Sequence, residues 1–108
     1  MTVLLLKYLR YLLAVEVDRI ERIAPLSGIP VLDARLLFPA ADCLALVVMK
    51  NGRLLPATRV LGMGECPAVQ TVPPFLAAAL KSNPFAGFFA SDGKLYGLLG
   101  QEFLGPKE

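Results

Sequence analysis

The sequence predicts a mainly β domain, and three observations support this prediction. Asn-Gly at 51–52 and Ser-Asp-Gly-Lys at 91–94 each separate two apolar runs, a pattern typical of β-hairpins. The segment between them is rich in proline, which suits a crossover from one hairpin to the other. The length of 108 residues is enough for one domain with a modest core, so we expect a single domain over residues 1–108.

The N-terminal run is predicted to form two strands, Val3–Tyr8 and Arg10–Val17, with a tight connection near Leu9-Arg10. Side chains alternate in character along the second half of the run until Asp18-Arg19 break it, and this favours strands. The many leucines also suit a buried helix, which stays open as an alternative. After the break, Ile20–Ile23 can continue as a short strand.

The next segments are predicted to be irregular, with short strands and short helices. Two prolines and a glycine exclude helix from the connector Pro25–Pro30. A short strand is expected at Ile29–Leu32, and Asp33 can then cap one helical turn that ends at Phe38. Further along the chain, the pair Pro73-Pro74 opens a predicted helix over Phe75–Lys81.

The two hairpins are predicted in more detail. The strands Leu44–Met49 and Leu54–Val60 flank Asn51-Gly52, where a type I′ turn would place both central residues at positive φ. The second hairpin pairs Ala86–Phe89 with Leu95–Leu99. Two hairpins joined by a proline-rich crossover indicate a small β-rich domain.

Composition limits the classes of function. Hydrophobic residues make up 56% of the chain and charged residues 19%, so the apolar excess serves either a partner interface or a well-filled core. The net charge is only +2, and the lysines and arginines are scattered from Lys7 to Lys107. Nucleic-acid binding is therefore not expected.

The sequence offers little catalytic chemistry. It contains no histidine and only scattered acids, so we expect no enzyme, no catalytic residues and no cofactor. Cys43 and Cys66 lack the neighbouring ligands of a zinc site and are predicted to be buried free thiols. Gly62-Met63-Gly64 lacks the third glycine of a dinucleotide-binding fingerprint and is predicted to be a flexible loop.

The apolar N-terminal run does not predict membrane insertion. A membrane-spanning helix needs about 20 nearly uncharged residues, whereas Lys7 and Arg10 interrupt this run. No basic stretch precedes it and no small-residue cleavage site follows, so a secretory signal is not expected. We therefore expect a cytoplasmic protein with reduced thiols.

Several segments follow one another in an order and character typical of one family. They are Tyr11–Ile23, the segment IPVLDARLLF at 29–38, the first hairpin with its ending TRVLG at 58–62, and FFASDGKLYGLLGQEFL at 88–104. In these segments the chain resembles the CheW-like domain, the adaptor fold of bacterial chemotaxis arrays. The resemblance implies two small β-barrel subdomains with short helices.

The chain departs from the CheW-like pattern near its connector. Between the positions of Leu26 and Ile29 the family normally has a loop and a further strand ending in an Asn-Leu-Arg-Gly motif, whereas only Ser27-Gly28 stand here. The resemblance is thus to a divergent and shortened relative whose N-terminal barrel is missing a strand. Because a missing strand leaves backbone groups unpaired, we expect an open sheet edge that pairs with a second copy or with a partner's strand.

The resemblance implies a non-enzymatic adaptor in bacterial chemotaxis-like signal transduction. Its partners would be a histidine kinase's regulatory domain, a chemoreceptor or another adaptor. Candidate partner contacts are Val31, Asp33, Arg35 and Arg59, because charged residues beside strand ends help to set partner choice; a helix cap and solvated surface charges are the alternative for these residues. The alternative function is a small-molecule-binding β domain with an apolar pocket.

Overall fold

The computed structural model of the protein describes residues 1–25, 34–40, 43–66 and 85–106. The strand predicted at Ile29–Leu32, the helix predicted at Phe75–Lys81 and the candidate residues Val31 and Asp33 lie outside these ranges. The elements are β1 Thr2–Tyr8, β2 Tyr11–Glu16, β3 Ile20–Pro25, β4 Ala45–Met49, β5 Leu54–Ala57, β6 Arg59–Glu65, β7 Phe85–Ser91, β8 Lys94–Leu99, a 3-10 turn at Val17–Arg19 and helix α1 at Gln101–Leu104.

The strands form two sheets, so the predicted mainly β class is confirmed. The larger sheet has the strand order β6-β1-β2-β8-β7, and the smaller has the order β3-β4-β5. All pairs are antiparallel except β2 with β8, which are parallel. Neither sheet closes into a barrel within the described residues.

The N-terminal hairpin is confirmed, and the helical alternative is wrong. β1 and β2 pair antiparallel, with Tyr8 opposite Tyr11, so only Leu9 and Arg10 form the turn. Leu9 adopts a left-handed conformation with φ of 55°. Within the described ranges, no helix is long or apolar enough to cross a membrane.

The hairpin at Asn51-Gly52 is confirmed, but its turn differs from the predicted type I′. Gly52 has a positive φ of 87°, whereas Asn51 is not among the positive-φ residues of the described chain. The Gly52 N–H donates to the Met49 carbonyl at 3.0 Å, and the Met49 N–H donates to the Arg53 carbonyl at 2.9 Å. These contacts are typical of a three-residue loop ending in a left-handed glycine. The two-residue turn with positive φ at both positions occurs instead at Asp92 and Gly93, where φ is 51° and 75°.

The strand predicted at Leu54–Val60 is divided between the two sheets. β5 ends at Ala57 and β6 starts at Arg59, because Thr58 makes its hydrogen bonds with Lys7 of β1 and with Leu9 of the β1–β2 turn. The Gly62-Met63-Gly64 segment then pairs with β1, so the predicted flexible loop is wrong. The β1 edge supplies hydrogen bonds that hold these glycines in an extended strand.

The main core lies between the two sheets. Leu6, Leu13 and Val15 of the larger sheet contact Val47 and Leu55 of the smaller one, all fully or almost fully buried. Helix α1 closes one end of this core with Leu104. A smaller buried cluster forms on the opposite face of the larger sheet. Its buried members are Val3, Ala14, Phe89, Tyr96 and Leu98.

Residues 34–38 do not form the predicted helical turn ending at Phe38. They form a turn and an isolated parallel bridge between Leu36 and Leu54. The N–H of Leu37 donates to the Leu54 carbonyl at 2.8 Å. Hydrogen bonds to the unpaired backbone of β5 therefore replace the local bonds of a helical turn. They are favoured because they extend a sheet that already exists.

Candidate interaction surfaces

Arg35 lies beside the outer edge of the three-stranded sheet. It is exposed, and its carbonyl accepts a hydrogen bond from the Leu54 N–H at 2.9 Å. Together with the Leu36 bridge, this contact covers the start of the β5 edge. Arg35 is thus positioned by backbone pairing, with its side chain at the surface.

Arg59 lies at the opposite end of β5, as the first residue of β6. It is exposed and stands directly across from the exposed Lys7 of β1. The adjacent Thr58 accepts a hydrogen bond from the Leu9 N–H at 2.7 Å. This bond holds the β1–β2 turn, which includes Arg10, next to the start of β6. The structure therefore groups Arg59 with Lys7 and Arg10, rather than with Arg35.

Three exposed apolar residues of the larger sheet lie near the β1–β2 and β7–β8 turns. They are Tyr11, Ala90 and Leu95, and we call them the apolar strip. Ala90 pairs with Leu95. The parallel register pairs Leu13 with Gly97, and extending it by two residues sets Tyr11 level with Leu95 on the same face. Leu95 is 65% exposed and Tyr11 49% exposed. In the sequence, Tyr11 and Leu95 look like ordinary residues of two separate apolar strands. They can be recognised as one surface only from the pairing of β2 with β8 in the structure.

A cation borders the apolar strip. The guanidinium carbon of Arg10 lies 5.4 Å from the centre of the Tyr11 ring, and Arg10 Nη2 donates to the Tyr11 hydroxyl at 3.3 Å. This hydrogen bond raises the pKa of Arg10. Arginine and tyrosine held together in this way present a positive charge and an aromatic face to the same region of solvent.

Strand β6 forms one edge of the larger sheet. No other strand of the described chain pairs with its outer side. Its exposed apolar residues are Leu61, at 39%, and Met63, at 69%. The register with β1 shifts between Leu5 and Leu6, where Leu61 is the extra residue of a β-bulge. Gly62, at φ of 138°, follows it in a backbone conformation that other residues rarely adopt.

Opposite charges mark the two ends of β6. Arg59 begins the strand and Glu65 ends it. The Thr2 hydroxyl donates to Glu65 Oε1 at 2.6 Å, and the N-terminal ammonium of Met1 lies 3.3 Å from Oε2. These hydrogen bonds, that from Thr2 above all, lower the pKa of Glu65. The carboxylate is therefore ionised at neutral pH.

A small cavity lies between β2, β8 and α1. Its volume is about 150 Å³, and its lining includes Glu16, Arg19 and Leu98. Most sites for small organic ligands enclose roughly 300–1,000 Å³. This cavity therefore gives no support to the alternative of a small-molecule-binding domain.

Arg19 is a buried residue that the sequence pattern does not reveal, because there it looks like the polar end of a strand. It is only 3% exposed. Its Nη2 donates to the carbonyls of Gly105 and Pro106, while Nη1 has no hydrogen-bond partner among the described residues. Burying a charge is costly unless hydrogen bonds compensate for it. Because these bonds go to the carbonyls of Gly105 and Pro106, we interpret Arg19 as a structural tie for the C-terminal segment.

Neither cysteine forms a disulfide, as predicted. Cys43 is buried, but Cys66, which follows β6, is only half-buried, so the predicted burial is confirmed for Cys43 alone. Burial raises the pKa of the Cys66 thiol. A reactive cysteine requires the opposite shift, because the thiolate is the nucleophile.

Comparison of the sequence with protein-family models gave no match, and no curated protein matches it significantly. The resemblance to the CheW-like domain therefore stays a prediction from the sequence pattern.

Proposed function

We propose that the chain is a non-enzymatic adaptor of the CheW-like kind that binds protein partners in a cytoplasmic, chemotaxis-like signalling pathway. The sequence resemblance suggests the partners: a histidine kinase's regulatory domain, a chemoreceptor or another adaptor. The assignment of the two sheets to the two small subdomains of a CheW-like domain belongs to the same proposal.

The apolar strip is the observation that supports this function best. Exposed apolar side chains are common when single, but Tyr11, Ala90 and Leu95 are adjacent on one sheet face. Tyrosine and arginine are also the residue types enriched among the energetically important contacts of protein interfaces. The strip with Arg10 beside it therefore has the composition of a protein-binding surface.

The scaffold makes this surface suitable for recognition without large rearrangement. Tyr11 begins β2 and Leu95 lies in β8, and both strands are central in the larger sheet. Tyr11 pairs with Tyr8 of β1 and Leu95 pairs with Ala90 of β7, so each of the two residues lies in an antiparallel ladder. A rigid surface loses little conformational entropy on binding.

Charge near the strip indicates the character of the partner. Arg10 lies against Tyr11, at one end of the strip. An apolar partner surface with an acidic group at its edge would complement this cation. We therefore expect the partner surface to be apolar in the middle and acidic at its rim.

Leu95→Glu tests the proposal, because it places a carboxylate in the middle of the strip. Purified chain is titrated against a chemotaxis-type kinase regulatory domain and a chemoreceptor's cytoplasmic tip by calorimetry. We expect Leu95→Glu to weaken binding by at least about tenfold. Leu44→Glu is the matched control, since Leu44 is equally apolar and exposed but precedes β4 in the other sheet.

Two results would count against the adaptor proposal. One is the absence of binding to both partners by a folded wild-type chain. The other is binding that Leu95→Glu leaves unchanged or that Leu44→Glu weakens equally, because either pattern separates recognition from the strip. Circular dichroism on both variants verifies that the fold is retained.

A further inference from the structure

We propose that one end of the larger sheet is a docking surface for an anionic lipid bilayer. This end carries the β1–β2 and β7–β8 turns. Its exposed cations are Lys7, Arg10, Arg59 and Lys94, which we call the basic rim, and Leu9 lies among them at the tip of the β1–β2 turn. The chain would lie on the bilayer without crossing it. Lipid docking does not rest on the adaptor function, because none of these residues belongs to the apolar strip.

Three cations of the basic rim lie on one face of the larger sheet. Lys7 pairs with Arg59, so their side chains leave the same face. Lys7 also pairs with Leu12 of β2. In the parallel ladder of β2 with β8, the even-numbered residues of both strands share a face, so Lys94 lies on the face of Lys7. The apolar strip, whose members in these two strands are odd-numbered, lies on the opposite face.

The charges of Lys7 and Arg59 are not neutralised within the described residues. Like charges directly opposite each other destabilise a sheet. Within the described ranges the ion pair formed is that of Glu65 with the N-terminal ammonium, and it includes neither cation. A phosphate group that contacts both side chains would relieve their repulsion through charge-assisted hydrogen bonds.

Charge is separated along the strands. Of the acids in the described residues, only Asp92 lies at the end with the basic rim. The other acids lie at or near the opposite end, and they are Glu16, Asp18, Glu21, Glu65 and Glu102. The end with the rim is therefore the positive one. Such a separation turns this end of the molecule toward a negatively charged surface.

Leu9 is the apolar part of the docking surface. It is 45% exposed, and its φ is 55°. Leucine rarely adopts a positive φ, and glycine or asparagine is the usual residue at such a turn position. The turn thus retains an exposed apolar side chain in an unfavourable backbone conformation. Burial of that side chain on binding would offset the strain.

The order of residues along the sheet end favours a bilayer over an acidic protein surface. Leu9 lies beyond the last pair of the β1–β2 ladder, whereas Lys7 and Arg59 lie one pair behind it. A docked chain meets the same order in a bilayer, whose phosphates lie outside its apolar interior. Long cationic side chains also reach back toward phosphates while their stems cover apolar surface. In a protein interface, by contrast, an apolar centre and its polar rim lie side by side.

Co-sedimentation of the full chain with lipid vesicles tests the docking. One set of vesicles contains equal parts of phosphatidylglycerol and phosphatidylcholine, and the other contains phosphatidylcholine alone. Each lysine or arginine near an anionic surface strengthens binding roughly fivefold, so we expect reversible binding to the first set at roughly millimolar lipid. Binding should weaken as salt is added, because salt screens the charges. The second set should not bind the chain.

Arg59→Glu tests the basic rim. It replaces attraction to the lipid by repulsion and is expected to weaken vesicle binding by at least about tenfold. The fold should tolerate this change, because it turns a like-charged pair with Lys7 into an opposite pair. Arg22→Glu is the matched control, since it makes the same charge change at an exposed residue of β3 in the smaller sheet.

Leu9→Asn tests the apolar tip. Asparagine tolerates a positive φ better than leucine, so the thermal unfolding midpoint should change little, whereas vesicle binding should weaken by at least about threefold. Met63→Asn is the matched control, because Met63 is 69% exposed but lies toward the far end of β6. Weaker binding with an unchanged midpoint identifies a loss of lipid contact and not a loss of fold.

Four results would overturn the proposal. The first is a folded wild-type chain that does not bind phosphatidylglycerol vesicles at low salt, and the second is equal binding to phosphatidylcholine alone. The third is binding that Arg59→Glu weakens no more than Arg22→Glu, or that Leu9→Asn leaves unchanged. The fourth is binding to polyglutamate in place of vesicles, which would assign the basic rim to an acidic protein.

Failure here is distinguishable from failure of the adaptor function. The partner titration described above contains no lipid and depends on Leu95, on the opposite face of the sheet. A chain that binds the kinase domain or the receptor tip but no vesicles would refute only the lipid docking. A chain that binds vesicles but neither protein would refute only the adaptor function.

Discussion

Arg19 and Asn51 donate to the same oxygen, the carbonyl of Pro106, at 3.1 Å and 2.7 Å respectively. Each also donates to a second carbonyl, Arg19 to Gly105 and Asn51 to Leu104. The last carbonyls of a helix have no donors within the helix, and Asn51 satisfies that of Leu104, the last residue of α1. The other acceptors, Gly105 and Pro106, directly follow the helix. Arg19 and Asn51 thereby hold Leu104 over the main core.

Asn51→Asp tests this C-terminal tie. The variant keeps the side-chain oxygen that accepts from the Arg53 N–H at 3.0 Å, but it loses the donor and sets a carboxylate against two carbonyls. We expect the free energy of unfolding to fall by about 1–3 kcal/mol. Urea unfolding followed by circular dichroism measures the change.

Lys50→Ala is the control for Asn51→Asp, because Lys50 belongs to the same turn and is exposed. It should leave the unfolding midpoint nearly unchanged. Equal stability of Asn51→Asp and the wild-type chain would show that the tie contributes nothing.

Gly97→Ala is expected to destabilise the larger sheet by steric overlap. A Cβ at Gly97 would lie 2.5 Å from Cε1 and 2.6 Å from Cδ1 of Phe85, whose ring packs across the strand. The ring must move, and overpacking of this kind costs about 1–3 kcal/mol. Thermal and urea unfolding measure the loss.

Gly64→Ala is the matched control for this overlap. Its new Cβ would meet Leu5 Cδ1 at 3.5 Å, an ordinary van der Waals contact. Adding Phe85→Leu to Gly97→Ala should recover part of the loss, because the two sites are in contact. If Gly97→Ala is as stable as Gly64→Ala, the ring is not confined.

Tyr8 predicts a specific weakness at alkaline pH. Its hydroxyl donates to the Pro39 carbonyl at 2.7 Å, and its pKa is raised, first by burial and then by the nearby Cys43. A phenol whose folded pKa exceeds its unfolded pKa of about 10 contributes stability that is present below that pH. This contribution is lost as the pH rises through the higher, folded pKa.

Comparison with Tyr8→Phe isolates this effect, since all other titrating groups are shared. We expect the wild-type chain to be more stable at pH 7 by about 1 kcal/mol, the contribution of the hydroxyl hydrogen bond. The advantage should shrink above a pH of about 10. Parallel stability curves from pH 7 to pH 11 would refute the predicted shift.

The sequence predicted those parts of the fold that depend on neighbouring residues. The three hairpins follow from short turns between apolar runs, and each is present. The turn at Asn51 differs in type from the prediction, and its side chain binds the distant residues Leu104 and Pro106. Local propensity alone does not include that contact.

Pairing between distant segments could not be predicted. The parallel contact of β2 with β8 and the extended Gly62–Gly64 depend on which edges meet after folding. The same reason applies to the surfaces: Arg59 was recognised by its charge, whereas Tyr11 and Leu95 become a strip only through the sheet register. Arg35 lies at an edge that residues 35–37 already occupy in part.

Thr58 joins the two sheets, and its hydroxyl provides the last prediction. The Thr58 N–H donates to the Lys7 carbonyl at 2.8 Å, and Thr58 Oγ1 accepts from the Leu9 N–H at 2.7 Å. The two bonds fix the point at which the chain leaves β5 and enters β6. Thr58→Val keeps the shape of the side chain but removes the acceptor.

We expect Thr58→Val to lower the free energy of unfolding by about 0.5–1.5 kcal/mol, at the lower end if water replaces the lost acceptor at this exposed bond. Thr58→Ser retains the hydroxyl and should be less affected. Amide hydrogen exchange at Leu9 gives a site-specific reading, because its N–H loses protection only when the acceptor is removed. Exchange at Leu9 that is equally slow in both variants would mean that the hydroxyl does not hold the turn. In that case the hydrogen bond from the Thr58 N–H to the Lys7 carbonyl would by itself position the start of β6, where Arg59 lies.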